Sequence, residues 1–387
     1  MNNKGRDEKN MKNPNCIIFV AEMRNPNTNA SSTQIMTNNL LFGFKLLCKE
    51  LIFIPVISDE DDARDIREFY SPLCTEIFFL KQKTTFERNL ILRQLSMYKE
   101  AYAPSKYVLP EGLSKYLKEN TVIVSQSPTI DTILVSRQIK LNHSGIRYIQ
   151  YWGDPMALSG IIIEEYNIKR ILLKAIERQV HKYADKIVFG TESLFREQIK
   201  LFPEISCIAT FCDVAYNPQS KGAYEGAEEF ICGYFGNYYS SIRNIVPLYN
   251  AFASINNCKL VICGSTDLDL KSTNNVTIMK RIPQSRVEME EAKTNIEICI
   301  LNRVSAQIPG KLFYHTNTDK PIIVILDGPR AKSIRTELKR SHRFVFCDND
   351  EVSIQKTLSE IIKTPIRTGS SEKDYYSPSR VCGQILS

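Results

Sequence analysis

Short runs of β-branched and other apolar residues alternate along this chain with segments of helical period, and that alternation restricts the fold more than any other feature. CIIFVAEM, LIFIPVI, TVIVSQS, IRYIQYW, KIVFG, FICGYFG, KLVICG, IEICILN and IIVIL read as buried strands. IMTNNLLFGFKLLCKE, IRNIVPLYNAFASI and VEMEEAKTN read as helices between them. Repeated strand–helix–strand units imply open parallel sheets with helices on both faces, where ligands bind beyond the carboxyl ends of the strands.

The C-terminal half gathers candidate ligand groups at such an edge. FICGYFG leaves at Gly236 and KLVICG at Gly264, while Arg243, Arg281, Asn302 and Lys311 each lie at or after a strand or helix end. In SAQIPGKLFYHTNTDKPIIVI, Pro309 suits the first turn of a helix, because it has no N–H and its φ is already helical. Gly310 permits close approach, and Lys311 adds charge to that turn. A helix start of this kind is a seat for phosphate. Taken singly, each group reads as a solvated cation or a turn glycine. Together on one edge they favour an anionic ligand.

The N-terminal half repeats the pattern with polar exits. RNPNTNASSTQ follows the first strand, and Ser31, Ser32 and Thr33 stand where a helix cap or a ligand contact is expected. Later strands leave at Ser125-Gln126-Ser127-Pro128, at Gly153-Asp154-Pro155 and at Gly190-Thr191-Glu192. Turn chemistry accounts for each exit, and three in series also fit a ligand wall. Asp154 serves equally as a cap for a following helix or as a carboxylate facing a reacting hydroxyl. Residues 63–120 are expected to be mainly helical. Their mix of Lys and Arg with Leu, Tyr and Phe is that of an amphipathic surface, or of a basic-aromatic face resting on a membrane.

A chain of 387 residues, 43% of them hydrophobic, exceeds the ~250–300 at which single cores stop growing, so two domains are expected. No apolar stretch approaches the ~20 residues of a membrane span. MNNKGRDEKNMKNPN lacks the apolar core of a signal peptide and reads as a disordered leader over 1–14. The 11 cysteines include Cys16, Cys48, Cys232, Cys263, Cys299 and Cys347 inside apolar runs, with no C-x-x-C pair. In a reducing cytoplasm they pack as small hydrophobes. His143, His181, His315 and His342 are dispersed, which argues against a metal site. The net charge of +7 comes without a basic stripe interleaved with aromatics, so nucleic acid is not the expected partner.

The ordered series GYFGNYYSSIRNI, KLVICGS, VTIMKRIP, ILN and QIPGKLFYHTNTDKPIIVI resembles the nucleotide-sugar-binding half of a GT-B glycosyltransferase. It is most similar to family 4 of the glycosyltransferases and to relatives in bacterial surface-polysaccharide synthesis. The resemblance covers about 229–365; across 15–215 it rests on architecture. It implies an α/β fold of two Rossmann-like domains facing a cleft, at 15–213 and 228–365, with a tail at 366–387 packing back on the first. It implies a cytoplasmic enzyme, peripheral at the inner membrane where lipid-linked acceptors reside. The reaction would be sugar transfer from a nucleoside-diphosphate sugar to a saccharide or lipid-linked hydroxyl, with retention and without an obligatory metal or other cofactor. Arg243 and Lys311 would hold the diphosphate with Gly236, Asn237 and Gly264, and Arg281 would lie near the base. Asn302, Gln307, Ile308, Pro309, Gly310 and Leu312 would complete the donor site. Asp154 would act on the acceptor, which Ser32, Thr33, Ser125, Ser127 and Thr191 would contact. The chain departs from the family at Ala306 and Tyr314, where carboxylates are usual, at Asp319, where glycine is usual, and at Gly153, where relatives often have histidine. Two alternatives therefore stand beside the transferase: an inactive GT-B subunit that binds a nucleotide sugar or a partner transferase, and a nucleotide-sugar 2-epimerase.

Overall fold

The computed structural model describes residues 14–26, 31–83, 90–127, 129–158, 168–218, 230–253, 255, 258–364 and 370–387. Most of the proposed leader, at 1–13, and 219–229 of the connection between the halves lie outside them.

The apolar runs form two parallel sheets. The first holds β1 (Cys16–Met23), β2 (Glu50–Ile57), β3 (Glu76–Ile77), β4 (Leu80–Lys81), β5 (Thr121–Ser127), β6 (Arg147–Trp152), β7 (Lys186–Phe189) and β8 (Ala209–Phe211). Its order is β3-β2-β1-β5-β6-β7-β8, with β4 also on β2. The second holds β9 (Phe230–Phe235), β10 (Cys258–Cys263), β11 (Val276–Met279), β12 (Ile296–Ile300), β13 (Ile322–Leu326) and β14 (Phe344–Asp348), ordered β11-β10-β9-β12-β13-β14. Both sheets bury both faces, which is why β1, β2, β12 and β13 are apolar almost throughout rather than alternating. Strand order reverses between β1 and β5 and again between β9 and β12, so crevices open where the chain leaves β1, β5, β9 and β12.

The final helix, Pro378–Leu386, belongs to the first sheet's core. Val381, Cys382, Ile385 and Leu386 pack with Phe19, Leu40 and Phe44. Gly43 makes this possible: a Cβ there would lie 2.3 Å from the Pro378 carbonyl oxygen. Arg147 and Lys186 donate to the carbonyls of Leu386 and Ile385, at 2.6 and 3.0 Å, and so cover the exposed end of that helix.

Two expectations about helices are corrected. About half of the described residues in 63–120 are helical, with short strands and irregular segments between the helices. Helices cover Asp62–Tyr70 and Leu90–Tyr102 and a 3₁₀ turn covers Glu111–Tyr116, while β3 and β4 add to β2 between them. The apolar EIFFL run supplies those strands, and Pro104 and Pro110 keep 103–110 irregular. After β9, the helix is Val246–Ala253 and begins next to Pro247, so Ile242 lies in the preceding turn. Arg243 consequently sits on a loop at the sheet edge.

Glu177, on the helix Ile168–His181, is fully buried and accepts hydrogen bonds from Ala157 N at 2.9 Å and Gln198 Nε2 at 3.0 Å. Burial outweighs those bonds and pushes its carboxyl up to about 7. A raised carboxyl favours the folded state below its unfolded pKa, and that advantage is lost as pH rises to the folded value. The shift corresponds to about 3 kcal/mol. Glu177→Gln keeps the shape without the titration. From pH 5 to pH 8 the wild-type melting temperature is expected to fall relative to this variant, and a relative rise would mean that the ionised form stabilises the fold.

Candidate functional site

The carboxyl edges of the two sheets face each other across a cleft of about 420 Å³. Its second-sheet wall is built at the β9/β12 reversal. A Cβ on Gly264 would stand 2.0 Å from Gly236 O, so the exits of β10 and β9 touch backbone to backbone. Asn237 Oδ1 accepts from Ser265 N at 3.0 Å and locks the two loops together. Gly236 itself is open, and the nearest atom to a Cβ there would be Lys311 Cδ at 3.8 Å.

Arg243 is held as a rigid fork. Its Nε donates to Asn302 Oδ1 at 2.8 Å and its Nη1 to Asn237 O at 2.9 Å. Asn302 Nδ2 in turn donates to Gln307 O at 2.8 Å, which fixes the segment before Pro309. Arg243, Arg281 and Lys311 all line the cleft, and Asp154 is the one carboxylate on its walls among the described residues. A concave site with three cations against one carboxylate is suited to an anion.

The helix expected at Pro309-Gly310 is a single turn, Lys311–Tyr314. So short a helix has little macrodipole, and the positive charge there rests on Lys311 rather than on a helix end. Gly310 is required for another reason. A Cβ there would meet Tyr314 Oη at 2.7 Å and Ser32 Oγ at 3.1 Å. Tyr314 stands where the resemblance expects a carboxylate. Its hydroxyl donates to Ser32 O at 3.0 Å and contacts Ser32 Oγ at 3.0 Å, tying one wall to the other. Ala306, the other substituted position, is buried. Asp319 pairs with Lys373 at 2.5 Å, and neither lines the cleft.

The opposite wall comes from the exits of β1, β6 and β7. Ser31 caps the helix Ser32–Lys45 by accepting from Gln34 N at 3.2 Å, which brings Ser31, Ser32 and Met36 to the cleft. Asp154 follows β6. No helix begins after it over 155–158, so the capping role is set aside; its carboxylate accepts instead from Gln307 Nε2, on the opposite wall. Burial pushes the Asp154 carboxyl above its usual range, and the Gln307 amide offsets part of that. At Gly153, where relatives often have histidine, the end of the Met36 side chain fills the space, with Cε and Sδ 2.6 and 2.7 Å from where a Cβ would stand.

Of the residues proposed from sequence, Gly236, Asn237, Arg243, Gly264, Arg281, Gln307, Ile308, Pro309, Gly310, Lys311, Ser32, Thr191 and Asp154 come together on the cleft. Five do not line it. Asn302 is buried behind Arg243 and acts through it. Leu312 packs in the apolar cluster with Phe313 and Phe344. The Thr33 carbonyl accepts from Thr37 Oγ1 at 2.9 Å within the first helix. Ser125 and Ser127, two apart on β5, turn to the same inner face, where Ser125 Oγ meets Tyr148 Oη at 2.8 Å and Ser127 Oγ donates to Tyr151 O at 3.3 Å. Thr191 lines the cleft, but its hydroxyl accepts from Leu194 N at 3.1 Å as a helix cap.

Sequence reasoning missed the contacts that hold the walls together. Glu337 accepts from Glu192 N and Ser193 N, both at 2.8 Å, at the start of the helix Glu192–Leu201. Arg330 Nη2 pairs with Glu197 at 3.0 Å. No local motif marks partners that lie more than a hundred residues apart.

The sequence profile of no known protein family matches this chain, and no curated protein matches it. Solved structures do. A glycosyltransferase of kitacinnamycin is 13% identical with a TM-score of 0.53, over 96% of this chain and 98% of that one. Anabaena HepE in complex with UDP and glucose is 9% identical with a TM-score of 0.53, over 96% and 94%. A UDP-N-acetylglucosamine 2-epimerase is 10% identical with a TM-score of 0.51, over 96% and 94%. At such identities the likeness establishes the architecture. The chain has the GT-B fold, an α/β arrangement of two Rossmann-like domains facing a central cleft.

Proposed function

We propose that the protein is a glycosyltransferase that moves a sugar from a nucleoside-diphosphate sugar to a saccharide or lipid-linked hydroxyl in surface-polysaccharide synthesis. The observation that carries this is the charge layout: Arg243, Arg281 and Lys311 beside the open Gly236 on one wall, and Asp154 facing them from the other. The diphosphate would sit between Gly236, Arg243 and Lys311, and Arg281 would lie toward the base. As the bond from sugar to phosphate breaks, negative charge grows on the leaving nucleoside diphosphate. A guanidinium already fixed by Asn302 and Asn237 stabilises that charge without reorganising. Asp154 would orient the acceptor hydroxyl and take its proton, a role favoured by a carboxyl raised toward working pH. Retention and independence from an obligatory metal both rest on the resemblance. Of the solved structures, the HepE complex contains UDP, which makes uracil the first base to try.

The inactive-subunit reading is favoured by one feature, the tyrosine at 314 spent on tying the walls together. Release of free nucleoside diphosphate on adding acceptor separates an active transferase from a subunit that only binds donor. The epimerase reading needs carboxylates and a histidine around the sugar. The described cleft walls hold Asp154 as their one carboxylate and no histidine.

The membrane part of the reading rests on an exposed face. Leu92, Leu95, Tyr98 and Tyr102 follow one stripe of the helix Leu90–Tyr102. Ile168 and Ile171 are exposed on the helix packed beside it, with Lys99 and Arg178 also exposed on the two and Lys182 in the turn that follows. An apolar stripe with basic neighbours suits an anionic bilayer. No helix among the described residues is long and apolar enough to cross a membrane. Cosedimentation is expected with vesicles rich in anionic phospholipid, and to decline with salt and with Leu95→Glu/Ile171→Glu. Equal recovery in the supernatant with neutral and anionic vesicles at low salt would remove this surface from the reading.

A further inference from the structure

Lys311 forms part of two walls. It lines the cleft, and it also lines a small inner cavity of about 20 Å³ together with Glu291, Glu297 and His315. That cavity lies at the heart of a buried ionic cluster. His315 Nε2 is 3.3 Å from Glu291 Oε2, and Lys320 Nζ is 3.7 Å from Glu297 Oε1. Glu297 also accepts from Thr294 Oγ1 at 2.8 Å. Lys320 Nζ donates to the Glu291 carbonyl.

The groups facing His315 come from every element around it. Glu291 lies in the last turn of the helix Gln284–Lys293, Glu297 lies on β12, Lys320 precedes β13 and Lys311 is one turn earlier. Arg343, ahead of β14, reaches the His315 carbonyl at 3.5 Å. Burial alone would keep His315 neutral, but Glu291 and Glu297 outweigh it and hold the imidazole above its usual range. Burial also opposes ionisation of Glu291, but His315, Lys311 and Lys320 outweigh it and hold that carboxyl low. Glu291 therefore stays charged while His315 titrates.

We propose that the His315–Glu291 pair sets how much of the Lys311 charge is offered to the cleft. Protonated His315 satisfies Glu291 and leaves Lys311 to an anion in the cleft. Neutral His315 leaves the Glu291 carboxylate to draw the Lys311 ammonium toward the inner cavity. The pair is then a positioning element for the donor phosphate and confers a pH dependence on binding. This rests on the reading of the cleft as a diphosphate site.

The probes are UDP and inorganic pyrophosphate, titrated by calorimetry into the intact protein at about pH 6 and about pH 9. Both ligands gain negative charge across this range, which by itself tightens them on a cationic wall. For wild type, the ratio of affinity at pH 9 to that at pH 6 is expected to be lower than for Glu291→Gln by roughly fivefold, the low end of couplings between linked sites. Glu291→Gln should also bind more tightly than wild type at pH 9. His315→Gln, a second variant, should bind more weakly than wild type at pH 6 and match it at pH 9, where wild-type His315 is neutral. In the free protein, the His315 ring resonances should titrate above the ordinary histidine range and move on adding pyrophosphate. Identical pH dependence in wild type and both variants would overturn the proposal. Absence of wild-type binding at either pH would instead remove the diphosphate reading, and this proposal with it.

Discussion

Asp154→Asn is expected to lower turnover by ~10²–10⁴-fold while leaving nucleoside-diphosphate binding intact, the range for loss of a positioned general base. The substitution keeps the shape of the side chain and removes its charge and most of its basicity. Asp154 accepts from Gln307 across the cleft, and an asparagine oxygen accepts the same bond, so closure of the walls should survive. The pH profile adds a second reading. Burial holds the Asp154 carboxyl above its ordinary range, so the acid limb of kcat/KM should lie above the usual aspartate value and vanish in the variant. Melting temperature should change little, since no helix depends on Asp154 as a cap. Near-normal turnover in a stably folded variant would place the proton transfer elsewhere.

Arg243→Ala and Lys311→Ala are each expected to weaken nucleoside-diphosphate binding by ~1.5–3 kcal/mol, the range of charge-assisted hydrogen bonds. The two should differ in kind. Arg243 is fixed by Asn302 and Asn237, so its removal also takes one hydrogen-bond donor from each of those groups and loosens the loop after Gly236. Asn302→Ala should therefore reproduce part of the Arg243→Ala loss without touching ligand. Lys311 is not held in this way, and its loss should be chiefly electrostatic and shrink as salt is raised. Calorimetry at two ionic strengths separates them. Unchanged affinity in both single variants would remove these residues from the donor site.

Much of the sheet architecture was legible because parallel strands buried on both faces leave a long apolar signature, seen in IIVIL and LIFIPVI. The cleft edge was legible for the same reason, since strand ends can be counted and glycines mark where chains approach. Side-chain direction was not. Ser125 and Ser127 read as a ligand wall, and only the pleat shows that both turn inward to Tyr148 and the Tyr151 backbone. Asn302 read as a ligand contact because position in sequence does not reveal that Arg243 stands in front of it. EIFFL lost its strands to the helical pattern around it, because two-residue strands leave almost no period to detect. The cross-cleft ties of Tyr314, Gln307 and Glu337 depend on how two domains meet, which no local spacing encodes.

The most direct test of the central claim is a melting-temperature screen of the wild-type protein against nucleoside-diphosphate sugars, UDP-sugars first, alongside the Arg243→Ala/Lys311→Ala double variant. A ligand at about a hundred times its Kd adds roughly 2.7 kcal/mol to native-state stability, a rise of several degrees in a domain of this size. The expected result is such a rise with at least one nucleoside-diphosphate sugar in wild type and none in the double variant. A flat response to every donor at millimolar concentration, or an equal rise in the double variant, would contradict the assignment of the cleft.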